Sequence, residues 1–301
     1  MTDMKVTMCG IEFKNPITVA SGTFGSGMEY ESLVDLNRLG AVTTKGVAAV
    51  PWEGNPTPRV AETPSGMLNA IGLQNPGIDV FLERDIPFLK KYDTRIIVNV
   101  CGHSEDEYLS VVERLNDADI DMMEINISCP NVKEGGISFG TDPKGVEAIT
   151  KAIRSKAKKP VIMKLSPNVT SIAEIARAAE AGGADAISLI NTITGMRIDI
   201  RRQTFLLANR TGGLSGPAIH PVAVRMVYEA AQAVSIPIIG MGGVASYEDA
   251  IELMLAGATM VAVGSANFSN SHATIDIIEG MERYAQDMGI KCIADIVGIV
   301  K

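Results

Sequence analysis

The chain has 301 residues, 46 % of them hydrophobic and 21 % charged, with 35 Asp and Glu against 27 Lys and Arg. This apolar content excludes a disordered chain, and a net charge of −8 disfavours a binder of nucleic-acid backbones, which needs clustered cations. The four cysteines, Cys9, Cys101, Cys129 and Cys292, form no Cys-x-x-Cys pair, so no metal site, iron–sulfur cluster or disulfide framework is expected in this chain.

Taken in chain order, Val6–Cys9, Gly10 and Ile11–Phe13 predict a hairpin that closes the bottom of the fold. Eight short runs rich in Val, Ile, Leu or Met follow: Ile17–Ala20, Val42–Lys45, Ile96–Val100, Met122–Ile127, Val161–Leu165, Ala186–Asn191, Ile236–Gly240 and Met260–Gly264. Continuous apolar strands of this kind belong to parallel sheets covered on both faces. Amphipathic helices lie between them; in Ser171–Ala181, residues Ile172, Ile175, Ala176 and Ala179 recur at helical spacing. Ser104-x-x-Glu107, Ser171-x-x-Glu174 and Ser246-x-x-Asp249 fit or resemble capping boxes. Helix exits repeat as Leu39-Gly40-Ala41-Val42, Gly182-Gly183-Ala184-Asp185 and Ala256-Gly257-Ala258-Thr259, where glycine is expected at positive φ. The recurring module predicts an α/β fold, a (β/α)8 TIM barrel, with one domain spanning residues 1–301.

Three connections are long, Val47–Gly77, Ser128–Thr141 and Thr192–Pro217, and all follow strand C-termini, where barrel enzymes place their chemistry. The opening Met1-Thr2-Asp3-Met4-Lys5 has no apolar signal region. The uncharged stretch Leu253–Ile275 carries Asn267, Ser269, Asn270, Ser271 and His272, each costly in hydrocarbon. A cytoplasmic protein without a membrane segment is expected. The basic cluster Lys156-Ala157-Lys158-Lys159 reads as a solvated helix end.

Strand ends carry Lys45, Asn99, Asn126, Lys164 and Asn191 on one predicted rim. An amide offers a donor and an acceptor side by side, so the set suits a ring edged with N–H and C=O groups, such as a pyrimidine or a flavin. Cys129 sits just past a strand end in Asn126-Ile127-Ser128-Cys129-Pro130-Asn131, ahead of a glycine-bearing loop, Glu134-Gly135-Gly136, read as a lid. Gly242-Gly243 and Gly264-Ser265 follow the last two strands, where barrels bind phosphate on bare backbone amides. His103, His220 and His272 pair at no ligand spacing and read as structural, while Trp52 in its Pro-rich loop reads as an exposed contact residue.

The pieces Ala20-Ser21-Gly22-Thr23-Phe24-Gly25, Asn69-Ala70-Ile71-Gly72-Leu73-Gln74-Asn75-Pro76-Gly77, Asn126 to Asn131 and Gly212-Gly213-Leu214-Ser215-Gly216 together resemble dihydroorotate dehydrogenases, in order over nearly the whole chain. The resemblance implies an FMN-bearing barrel that oxidises dihydroorotate to orotate in pyrimidine synthesis. The cysteine within Asn-x-Ser-Cys-Pro-Asn resembles soluble class 1 enzymes, and Ser21-Gly22-Thr23-Phe24-Gly25 looks more like class 1B than the fumarate-using class 1A. Class 1B implies an iron–sulfur partner subunit that carries FAD and a 2Fe-2S cluster and passes electrons to NAD. It also implies a homodimer of catalytic subunits within a heterotetramer.

Carried over by position, Ser21, Lys45, Gly46, Asn99, Asn126, Lys164, Ile190, Gly216, Gly242, Gly243, Gly264 and Ser265 match the family's flavin contacts. Lys45, Asn69, Ala70, Ile71, Gly72, Leu73, Asn126, Asn191 and Thr192 match its substrate contacts. Cys129 matches the catalytic base, and Lys164 is expected beside the flavin edge that gains negative charge. Many relatives have Thr where this chain has Ser265. The competing readings are a dihydropyrimidine dehydrogenase-like uracil reductase, a Schiff-base aldolase using Lys164, and a non-enzymatic scaffold.

Overall fold

The computed structural model describes residues 2–128 and 140–300. Eight parallel strands form one sheet: β1 (Ile17–Val19), β2 (Ala41–Thr43), β3 (Arg95–Val100), β4 (Met122–Asn126), β5 (Val161–Lys164), β6 (Ala186–Leu189), β7 (Ile238–Met241) and β8 (Met260–Val263). Their spatial order is β1-β8-β7-β6-β5-β4-β3-β2. The seam between β1 and β2 is closed by the Gly40 N–H donating to the Ile17 carbonyl at 3.1 Å and by the Thr18 and Thr43 hydroxyls, 3.0 Å apart. The predicted barrel is therefore present, and every residue of β4 to β8 is buried, as parallel strands covered on both faces must be.

Helices Glu105–Leu115, Pro143–Lys156, Ile172–Ala181, His220–Ala231, Tyr247–Ala256 and Ala273–Asp287 cover the barrel. Ile172, Ile175, Ala176 and Ala179 face its core. The Ser246–Asp249 capping box is complete. Ser104 caps its helix too, but Glu107 reaches past it to the His103 N–H at 2.7 Å, leaving half a box. Between β1 and β2 no α-helix forms; only the 3-10 turns Met28–Tyr30 and Leu36–Arg38 fill that position. Gly183 and Gly257 have the expected positive φ, whereas Gly40 does not. Gly40 is required for closeness instead, since a Cβ there would lie 2.1 Å from the Asn15 carbonyl oxygen.

The N-terminal hairpin pairs Val6–Met8 with Ile11–Phe13, antiparallel, through Cys9 and Gly10, both at positive φ. Val6, Met8 and Phe13 are buried. The Cys9 thiol donates to the Asp185 carbonyl at 3.3 Å, and Arg95 Nε donates to the Glu12 carbonyl at 3.0 Å. Asp185 and Arg95 stand where β6 and β3 begin, so the hairpin closes the barrel bottom as expected.

At the opposite end, two connections read from sequence as loops build a four-stranded antiparallel sheet. Its order is Ile193–Met196, Thr211–Ser215, Gly66–Asn69, Val60–Thr63. Among the described residues no helix is long and apolar enough to cross a membrane. The cluster at 156–159 is a helix end as predicted: Lys156 pairs with Glu113, and Lys158 with Asp117. Trp52 is half-buried rather than exposed, because its ring stacks on His103 with centroids 3.9 Å apart.

Candidate active site

Between the barrel mouth and this second sheet lies a cavity of about 480 Å³. Ser21, Lys45, Asn126, Lys164, Ile190, Asn191 and Thr192 line it from the strand ends. Asn69, Ala70, Ile71, Gly72 and Leu73 line it from above, and Gly216, Gly242, Gly243, Gly264 and Ser265 close the remaining side. The expected site residues thus converge, with three exceptions. Asn99 and Gly46 stand behind the wall: Asn99 is fully buried, and a Cβ at Gly46 would meet its Oδ1 at 3.2 Å. Cys129, with Pro130, Asn131 and the lid reading of Glu134-Gly135-Gly136, lies outside the described residues.

Two lysines set the electrostatics, Lys164 buried and Lys45 half-buried. Lys164 Nζ lies 3.4 Å from Glu124 Oε1 and donates to Ser21 Oγ at 3.4 Å. Lys45 has no carboxylate partner among the described residues. Burial pushes its ammonium below the usual lysine range, Arg59 and Lys164 push the same way, and the Cys101 thiol opposes them. A desolvated cation facing a cavity without a counter-ion is a place for an anion.

The amides are held by short networks. Asn126 Oδ1 accepts from Ser128 Oγ at 2.6 Å, and Asn191 Nδ2 donates to the same hydroxyl. The Tyr108 hydroxyl donates to the Asn126 carbonyl at 2.8 Å, which fixes the end of β4. Asn191 Oδ1 accepts from the Thr192 N–H at 2.8 Å. Asn168, missed from sequence, bridges the Thr192 carbonyl at 3.1 Å and the Thr194 N–H at 3.0 Å. Asn69 Nδ2 reaches the Gly213 carbonyl at 3.5 Å, tying one wall strand to the next.

The glycine side is equally constrained. Gly243 has φ +72, and a Cβ there would lie 2.8 Å from the Gly216 carbonyl oxygen and from the His220 backbone nitrogen. His220 Nδ1 donates to the Gly242 carbonyl at 2.9 Å, while Nε2 lies 3.1 Å from Glu252 Oε2. His220 is therefore structural, as read, but it braces the candidate phosphate loop. Gly264 meets only Ala20 Cβ, at 3.6 Å, so its remaining flank is open. Ser265 precedes the short helix Ala266–Ser269.

The sequence profile of the family described as Dihydroorotate dehydrogenase matches residues 3–284. This chain belongs to that family. Its relatives include the dihydroorotate dehydrogenase B (NAD(+)) catalytic subunit of Lachnoclostridium phytofermentans, 64 % identical over 296 residues, covering 98 % of this chain and 99 % of that protein. The protein of the same description from Alkaliphilus metalliredigens is 61 % identical over 296 residues, covering 98 % of both chains. That of Thermoanaerobacter pseudethanolicus is 52 % identical over 299 residues, covering 99 % of both. Family membership agrees with a site that pairs two lysines with an amide rim. The aldolase reading needs a free amine at Lys164, and Glu124 and Ser21 already engage it.

Proposed function

We propose that this chain is the FMN-bearing catalytic subunit of a class 1B dihydroorotate dehydrogenase, oxidising dihydroorotate to orotate in pyrimidine synthesis. The observation that carries the reading is Lys45, a half-buried, desolvated cation without a carboxylate partner among the described residues, in one cavity with Asn69, Asn126, Asn191 and Lys164. The residues present fit an anionic flavin nucleotide. Gly243 is bare where a side chain would strike main chain, Gly264 leaves its flank open, and Lys45 and Lys164 supply positive charge.

Oxidation of dihydroorotate removes a proton from C5 and a hydride from C6. FMN, when bound, supplies the hydride acceptor. Gly216, Gly242, Gly243, Gly264 and Ser265 would hold its phosphate end, and Ser21, Lys164 and Ile190 its ring. Lys45 anchors the substrate carboxylate, and Asn69, Asn126 and Asn191 meet the ring's amide edges with Thr192 beside them. Cys129 takes the C5 proton as its thiolate. A partner subunit carrying FAD and a 2Fe-2S cluster would supply the route for electrons to NAD, in a cytoplasmic heterotetramer built on a dimer of this chain. The relatives' description as NAD(+)-type catalytic subunits supports a partner subunit and NAD as the acceptor.

The test is the visible spectrum of the purified, FMN-loaded chain, followed by dihydroorotate without oxygen. A flavin spectrum that bleaches is expected. Cys129→Ala should keep the flavin and bleach far more slowly, and Cys129→Ser should recover activity only at higher pH, since a hydroxyl is the weaker acid. A flavin that stays oxidised in the native chain refutes the substrate. Normal turnover by Cys129→Ala near neutral pH refutes the base.

A further inference from the structure

One buried ionisable group has no part in this chemistry. Glu124 lies in the middle of β4, 1 % exposed and away from the cavity wall. Its Oε1 accepts from Asn99 Nδ2 at 2.5 Å and from Lys164 Nζ at 3.4 Å, and its Oε2 accepts from Ser188 Oγ at 2.7 Å. The register explains the meeting. Asn99 on β3 stands directly opposite Glu124, and Lys164 on β5 stands opposite both Asn126 and Ser188. Three strands thus each send one donor to a single carboxylate in the barrel interior.

Packing does not require a carboxylate there, since the residue opposite it on β5 is Ile162. A carboxylate so deep persists only when paired and hydrogen-bonded, and this one is. Two of its three donors, Asn99 and Lys164, are residues expected at the flavin. Because the carboxylate can only accept, it fixes the Asn99 amide with Nδ2 inward. That orientation turns Oδ1 towards Gly46, where it is buried without a hydrogen-bond partner among the described residues.

We infer that Glu124 is a positioning and charge-balancing residue: it pins the Lys164 ammonium at the cavity wall and offsets its charge, which sets the reduction potential of the bound flavin. The inference rests on the flavin reading above. Reduction places negative charge on the flavin ring system, and a nearby cation favours it. A carboxylate 3.4 Å behind that cation opposes the effect, so the pair holds the potential below what Lys164 alone would give. A low potential suits onward transfer to an acceptor as reducing as a nicotinamide.

The test measures the potential of FMN bound to the full chain by equilibration with reference dyes, alongside FMN affinity by fluorescence quenching. Glu124→Gln keeps the shape and removes the charge. It should shift the reduced-to-oxidised equilibrium about tenfold towards reduced flavin, about 30 mV for a two-electron couple. Glu124→Asp keeps the charge with a shorter reach and should stay close to the native potential. A purely structural role gives the reverse order, because Gln preserves the packing and Asp does not.

Should Glu124→Gln fail to fold, the neutral double variant Glu124→Gln/Lys164→Gln carries the test. Its potential should lie at or below the native value, and a higher one overturns the inference. An unmoved or lowered potential in Glu124→Gln alone overturns it equally. A native chain that takes up no FMN refutes the flavin reading and the inference together. A native chain that binds FMN, with the Gln variant unmoved, refutes the inference by itself.

Discussion

Gly243→Ala places a methyl group where the barrel has no room for one, and the cost can be worked from the backbone. At φ +72 an L-residue costs about 1–2 kcal/mol relative to its preferred conformations. The added Cβ would also lie 2.8 Å from the Gly216 carbonyl oxygen and from the His220 nitrogen. Both are main-chain atoms and cannot rotate away, so overpacking brings the total to about 2–3 kcal/mol. If the loop holds its place, the whole chain is destabilised and its melting temperature falls by about 3–5 °C. If the loop yields, it withdraws from the phosphate, and FMN affinity falls about 30- to 150-fold.

The two losses must together account for the strain. Melting curves of the flavin-free chain and fluorescence titration with FMN measure them separately. Gly10→Ala is the control: Gly10 has φ +77 with nothing within 4 Å of its Cβ position, so it registers the backbone term alone. If Gly243→Ala changes neither quantity by more than Gly10→Ala does, the close approach of Gly243, Gly216 and His220 is not what shapes the phosphate site.

Binding of orotate should take up protons, because an anion beside Lys45 raises an ammonium pKa that burial had lowered. The sign follows directly: protons are gained between the lowered pKa of the free site and the raised pKa of the complex, so uptake grows as pH rises from neutral. Calorimetry in buffers of different ionisation enthalpy measures it, and proton release would refute the role of Lys45. At the barrel bottom, Gly40→Ala would place a Cβ 2.1 Å from the Asn15 carbonyl oxygen and 3.0 Å from that of Ile17. A loss of about 3 kcal/mol is expected in urea denaturation, and a loss under 1 kcal/mol would show that the β1–β2 seam is looser than described.

The barrel was legible because its strands are continuous apolar runs and its helices begin at Ser104, Ser171 and Ser246 with usable caps. The sheet above the mouth was not. Gly66–Asn69 and Thr211–Ser215 are rich in Gly, Ser and Asn, which have little strand propensity, and their pairing joins Leu68 to Leu214 across nearly half of the chain. The one local signal was the turn at Pro64-Ser65-Gly66, where Ser65 has φ +59. Sequence reasoning placed Lys45, Asn126, Lys164 and Asn191 on one rim because strand ends of a barrel share a face. It put Asn99 there too, though that side chain turns inward to Glu124. Glu124 itself was visible as a charge inside an apolar run, and nothing local could say that Lys164 would meet it. The role of Cys129 rests on the family resemblance, since its position lies outside the described residues.

The sheet above the mouth also divides what can vary from what cannot. A slip of one residue between Gly66–Asn69 and Thr211–Ser215 would turn every side chain of the slipped strand to the opposite face, Asn69 included if its own strand moved. Gly213 resists such a slip, since a Cβ there would collide with Thr192. Beyond this locked pair, the small hairpin of Ile198–Asp199 and Thr204–Phe205 projects with Ile200 85 % exposed at its tip. Length changes at that tip leave the cavity wall in register, whereas one inserted residue within 211–215 dismantles it. New surfaces can therefore be grafted onto this barrel through the projecting hairpin while the substrate-facing strands stay as they are.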